Sequence, residues 1–446
     1  MALSTLDRPA ELQRFRQARA RSRALFSLLT DEAYYARPIA LRNPVVFYEG
    51  HLPAFAVNTL LKRGLGEPGI DAHLETIFAR GIDPDDEANA IARGNPAWPS
   101  REVVRQYCDE ADRRLQAAIL EAPIERPDHP LLAEAQALRA VLEHEEMHQE
   151  TLAYIWHQAP YAWKRKPEHY VTAPPRLRET PPAPGAIEIP GGTVTLGTPD
   201  AEPFAWDNER PAHRVPVEAF RMDRYKVTNA AFREFIEAGG YRDARWWRAE
   251  DWAWIVAERV TCPPFWTPTD DGSDWRIRGL FEEVPFQPSW PVYATWAEAH
   301  AYARFRGQRL QTEAEFHRAA YGTPDGHERR YPWGDELPHR APANFDFLRW
   351  DPEPVDARPA AASAWGVEGL VGNGWEWTAD VFAPFAGFTP LPSYPEYSAE
   401  FFDGEHYVMK GASPVTPRAL VRPGFRNWFR PRYPYVYATF RCVTSA

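Results

Sequence analysis

HPLLAEAQALRAVLEHEEMHQETLAYIWHQ, residues 129–158, repeats its apolar positions three and four apart, the period of a helix with one buried face. Inside it, HEEMH (144–148) separates two histidines by four residues, which sets His144 and His148 one above the other on one side of the helix. Val141, Leu152 and Ile155 fall near the same stripe, so both imidazoles are expected to point inward, where each needs a partner. A metal ion meets that need, and so does a pair of core hydrogen bonds; a bare HxxxH leaves both readings open.

Working outward, three more stretches carry the helical period: LQRFRQARARSRALFSLL (12–29), PAFAVNTLLKRGL (53–65) and SREVVRQYCDEADRRLQAAIL (100–120). Ser100 and Glu102 mark the start of the third helix, and Pro130 that of the fourth. Four helices predict a bundle over 1–163, with a long connection in GIDPDDEANAIARGNPAWPS (81–100), whose acidic run Asp83 to Glu87 is expected to be a solvated loop. VVFYEGHLPAFAV (45–57) puts His51 at the opening of the second helix, facing the fourth. Three imidazoles would leave three positions of an octahedral ion for substrate and dioxygen, which favours iron(II).

HEEMH also matches the HExxH of zinc peptidases, in which the glutamate is the base. The residues after it, QETLAYIWH, supply neither the glycine turn nor the third histidine of the extended motif.

Composition narrows the function. The 446 residues exceed one ordinary domain, and 14% aromatic content with 18 Trp points to packed cores and ring-lined pockets. A formal charge of −11 disfavours nucleic acid and anionic membranes and leaves small molecules as partners. Three scattered cysteines, Cys108, Cys262 and Cys442, form no disulfide framework. With no export signal and no apolar run of membrane-spanning length, a cytoplasmic location is expected.

Residues 164–186, KRKPEHYVTAPPRLRETPPAPGA, are dense in proline and basic residues and read as a linker. Beyond them, 187–446 alternates short strand and helix patterns among many Trp, Gly and Pro residues, an irregular α+β domain. The fold class is therefore α+β and multidomain.

His51 with HEEMHQET resembles the iron-binding, DinB-like bundle of the ergothioneine-type sulfoxide synthases. IEIPGGTVTLGT, DRYKVTNAAFREFIEAGGY, RLQTEAEFHRAAYG, RYPWGD, GLVGNGWEWTAD and FRNWF, in that order, resemble the formylglycine-generating-enzyme-like, C-type-lectin-related domain that completes the active site in that family. The cysteine pair that formylglycine-generating enzymes use is missing from MKGASPVTPRALVRPGFRNW, so their oxidation is not expected.

The resemblance implies Fe(II), O2 as co-substrate, and hercynine with a selenosugar or thiol as small-molecule substrates. It makes His51, His144 and His148 the metal ligands, and Tyr394 or the neighbouring Tyr397 the proton donor. It gives Asn427 and Trp428 the hercynine carboxylate and trimethylammonium, with Arg426, Arg430 and Arg432 a basic cluster beside them. A structural Ca2+ near Asn373, Gly374 and Glu376 is also implied. Two departures bear on the donor. Met147 stands where the bacterial ergothioneine enzymes have a glutamine, and Phe429 where enzymes using γ-glutamylcysteine have an aspartate. Nor do residues 81–100 hold the closely spaced arginines that clamp that dipeptide. A sugar donor fits these losses and points to the selenoneine synthase branch. An ergothioneine sulfoxide synthase using γ-glutamylcysteine or cysteine is the alternative, and a zinc peptidase or a non-catalytic binding module is more remote. The ovothiol branch shares some of the replacements, but its familiar members carry a methyltransferase domain that these 446 residues lack.

Overall fold

A computed structural model describes residues 6–79, 97–171 and 180–446; the acidic run at 83–87 and part of the proline-rich stretch lie outside the described residues. The chain divides into two compact units. One holds the residues up to Glu168 together with Leu391–Pro395, and the other holds His169–Pro390 and Glu396–Ala446. No composition shift marks the short excursion at Leu391–Pro395.

The first unit is helical. Helix α1, Arg8–Ser27, is capped by Asp7, whose carboxylate accepts from the Ala10 amide, and buries Leu12, Phe15, Arg19, Ser22 and Phe26 along one stripe. Helix α2, Val45–Ala56, is buried along nearly its whole length and runs on into a π-helical segment, Val57–Gly64. A short α3, Ala72–Ile77, follows. Helix α4, Arg101–Glu121, starts where Ser100 caps it, and α5 spans Gln136–Gln158. Helix α1 packs on α4 and α5, and α2 packs on the same two. Between them lies an aliphatic core that includes Leu60, Leu61, Leu115, Ile119, Leu138 and Leu142. Each such side chain contributes about 1.5–3 kcal/mol by leaving water.

Three expectations shift. Pro53 does not begin the second helix; it sits inside one that began at Val45, so His51 lies in its second turn. Pro130 does not begin the fourth. Glu134 and Ala135 take left-handed backbone angles (φ 53° and 56°), which break the chain there and delay the helix to Gln136. The proline-rich stretch is anchored at its start, where the Arg165 amide donates to the Leu28 carbonyl, and its last residue, Ala186, already opens a strand.

The second unit is built of short elements. Strands Ala186–Ile189, Phe220–Asp223, Cys442–Ser445 and Arg309–Leu310 form one sheet in that order. A second sheet runs Asn427–Phe429, Tyr407–Ala412, Gly374–Val381 and Ala438–Thr439, so Asn427–Phe429 is an edge strand, with Met409 opposite Asn427 and Val408 opposite Trp428. Fully buried Trp206, Trp375 and Trp377 fill the space that longer elements would occupy elsewhere. Beside them a buried ion cluster holds the second sheet: Arg441 binds both Glu376 oxygens, at 2.7 and 2.8 Å.

Candidate metal centre

In the first unit, α2 supplies His51 and α5 supplies His144 and His148. One ligand-capable atom from each lies within 4.8 Å of the other two, the one such group of His, Cys, Asp or Glu found among the described residues. Ring centroids are 4.5–5.0 Å apart. His51 Nδ1 is 2.8 Å from the Phe78 carbonyl oxygen, which makes Nδ1 the protonated nitrogen and leaves Nε2 with its lone pair. Neither nitrogen of His144, nor Nδ1 of His148, has a hydrogen-bond partner. Buried polar atoms without partners cost roughly 1–3 kcal/mol each, so a core pair satisfied by hydrogen bonds does not describe these residues, whereas a cation fits them.

Burial lowers the His51 pKa to about 4, partly opposed by its bond to Phe78. It lowers His144 and His148 well below the usual imidazole value, and repulsion among the three rings adds to this. All three are neutral at pH 7, the form in which imidazole binds a metal.

Aromatic rings enclose the histidines. Phe55 stacks on His144 at 3.6 Å and 12°, and Phe47 on His51 at 5.0 Å and 20°. Both lie four residues from His51, so the helical period that singles out the histidines also marks these rings. Tyr394 lies 5.3 Å from Phe55 and 6.1 Å from His144, ring to ring. Arg63, on the π-helical segment, donates to the carbonyls of Pro392 and Ser393 just before it. Met147 is half-buried on α5.

Glu145, the glutamate of HExxH, is buried and held by the Arg19 guanidinium at 3.0 Å and the Ser22 hydroxyl at 2.7 Å. Those bonds commit both its oxygens, which removes it as a free base and with it the peptidase reading.

In the second unit, Tyr397 packs against Trp206 at 4.1 Å and Trp428 at 5.3 Å. Trp428 also stacks on Phe382 at 4.2 Å and 6°, and the Asn427 side-chain oxygen accepts from the Trp428 amide. Phe429 stacks on Tyr433 at 5.0 Å. The basic cluster is largely committed. Arg426 is buried against Glu313 at 3.1 Å, Arg432 pairs with Asp251 at 2.9 Å, and Arg430 lies 3.7 Å from Glu405. The oxygens of the turn implied to hold calcium have protein partners. Asn373 Oδ1 accepts from Asn344 and the Glu353 amide, while Glu376 is bound by Arg441 and Gln311.

Burial pushes the cysteine thiols up: Cys108 to about 12, Cys262 to about 11, and Cys442 well above the ordinary value.

Comparison with known proteins agrees with this division. Residues 14–152 match the DinB superfamily, and residues 172–446 match the sulfatase-modifying factor enzyme 1-like domain. The chain is 37% identical to "Hercynine oxygenase" of Mycolicibacterium thermoresistibile over 95% of its own length and 92% of the relative's. It is 35% identical to the protein of the same name from Mycolicibacterium smegmatis, covering 93% and 94%. It is 26% identical to "Ergothioneine biosynthesis protein 1" of Neurospora crassa over 93% of this chain and 55% of that one. The chain belongs to the hercynine oxygenase family, with a DinB-superfamily segment followed by a sulfatase-modifying factor enzyme 1-like domain.

Proposed function

We propose that this protein is an oxygen-dependent, non-haem iron(II) enzyme that joins a selenium or sulfur donor to the imidazole of hercynine, giving a selenoxide or sulfoxide. The carrying observation is the convergence of His51, His144 and His148, with both ring nitrogens of His144 and Nδ1 of His148 lacking a hydrogen-bond partner. His51, His144 and His148 would hold iron(II), which would supply dioxygen activation and lower the pKa of a bound thiol or selenol. The remaining roles fall to side chains. Phe78 fixes the His51 tautomer, Phe55 and Phe47 exclude water from the imidazole faces, and Tyr394 holds a proton at its phenol oxygen. Asn427 receives the hercynine carboxylate and Trp428 the trimethylammonium. The relatives' printed names support hercynine as one substrate.

For the donor, Phe429 favours a group without an ammonium. The stacked Phe429 and Tyr433 offer an aromatic face suited to a sugar, which supports a selenosugar and the selenoneine branch. Ergothioneine sulfoxide synthesis from γ-glutamylcysteine or cysteine is the second reading, favoured by the name of the fungal relative. The test is to load iron anaerobically, admit oxygen, and offer hercynine with selenoglucose, thioglucose, cysteine or γ-glutamylcysteine, identifying products by mass spectrometry. A carbon–selenium product from selenoglucose is expected, with Phe429→Asp moving preference toward an ammonium-bearing donor. A γ-glutamylcysteine sulfoxide as the main product would overturn the selenium assignment.

A further inference from the structure

A cavity of about 390 Å³ opens in the helical unit, with α1 on one wall and α4 on another, and no role in the chemistry above uses it. Its volume falls in the range of small-molecule sites. Five arginines line it, Arg19, Arg23, Arg101, Arg105 and Arg165, against three acidic residues, Asp31, Glu49 and Asp109. In a protein of net charge −11 this concentration of guanidinium groups is local.

Three of the five have acidic partners. Arg19 meets Asp112 and Glu145, Arg23 meets Asp109 and Asp112, and Arg101 meets Asp31 and Glu49. The other two form no ion pair among the described residues, although Arg165 attracts the exposed Glu32 carboxylate. Arg105 has no hydrogen bond or ion pair among the described residues, and Arg165 donates only to the backbone carbonyls of Ser27 and Leu29. Arg105 is also exposed, so these charges stand at the mouth. The floor is buried: Arg19 is 7% exposed, Ser22 2%, Phe26 6% and Leu52 3%. There the Nη2 of Arg19 is buried without a hydrogen-bond partner. A guanidinium nitrogen hidden from water with no acceptor needs one from elsewhere, and the exposed, unpaired Arg105 above it, with Arg165 beside the same opening, selects an anion. Phe26 and Leu52 beside the buried guanidinium suit a ligand with a short apolar part.

We propose that this cavity binds a small organic anion, a dicarboxylate or a phosphomonoester, with one acidic group near Arg19 and the other charge facing Arg105 and Arg165. A larger second cavity on the same helices, about 480 Å³, shares Arg19, Arg23 and Asp109, and widens the approach to the same guanidinium groups.

The test needs only binding by the full chain, so its outcome is separate from that of the iron chemistry. Glutarate and phenyl phosphate serve as probes in isothermal titration calorimetry, with sodium chloride at matched ionic strength as the control. One saturable site per chain is expected for at least one probe, weakened at least tenfold by Arg105→Glu and several-fold by Arg165→Ala. Arg245→Ala, on an exposed arginine of the other unit, should leave it unchanged, and the iron content of all three variants should equal that of the parent. Binding of glutarate alone identifies a carboxylate ligand, and binding of phenyl phosphate alone a phosphate. No saturable heat with either probe, or affinities that Arg105→Glu and Arg165→Ala leave unchanged, would overturn the proposal.

Discussion

At the scale of single residues, what distinguishes the three histidines is that they converge while both ring nitrogens of His144 and Nδ1 of His148 lack hydrogen-bond partners. Replacing His51 with alanine should lower iron affinity by more than the roughly 10- to 100-fold that loss of an outer partner costs. Metal analysis after anaerobic loading reads this directly, and a His51→Ala protein with full iron content would remove His51 from the ligand set. A different residue sets part of the pH response of stability. Burial raises the Glu298 carboxyl to about 7, although Tyr241 and Thr295 donate to it. Its folded pKa thus lies above the unfolded value of 4.5, so the folded state holds the proton more tightly. The contribution is complete below pH 4.5 and is lost as pH rises through about 7, on the order of 3 kcal/mol from a shift of this size. Glu298→Gln should flatten the fall in stability over that window, measured by urea titration at several pH values; an unchanged slope would assign the effect elsewhere.

At the scale of elements, caps and periodicity made much of the helical unit legible. Ser100 caps α4 through its hydroxyl and the Val103 amide, and Ser100→Ala should cost about 1 kcal/mol of stability in denaturant titration. The inward stripe of HEEMH was equally plain, because a four-residue spacing fixes direction once the helix is known. What escaped had local causes. Pro53 resembles a helix start but is tolerated inside α2, and the left-handed pair Glu134 and Ala135 gives no sign in residue types that rarely adopt such angles. The π-helical segment shifts the phase of the residues after Val57, so a 3.6-residue reading misplaces them. The arrival of Leu391–Pro395 beside the histidines depends on contacts between residues more than three hundred positions apart, such as Arg63 with Ser393, and no local pattern encodes it. The fate of the arginines near FRNWF was hidden for the same reason, since Asp251 and Glu313 are distant in sequence.

At the scale of the whole molecule, the chain divides into two compact units, and two family models match successive segments of it. No helix among the described residues is long and apolar enough to cross a membrane. Because the metal would bind the folded helical unit through residues from two helices, Fe(II) should raise thermal stability by mass action, about 2.7 kcal/mol at a hundredfold excess over Kd. Calorimetry under anaerobic conditions should show the rise in the parent protein and none in His144→Ala; a rise in the variant would place the stabilising ion elsewhere. The three thiols carry a last consequence. Each is held protonated at neutral pH by its surroundings, and a thiol in that state is a poor nucleophile. Under the function proposed above, the protein would in this way be protected from its own oxidised products, because none of its cysteines is poised to form a mixed chalcogenide with them.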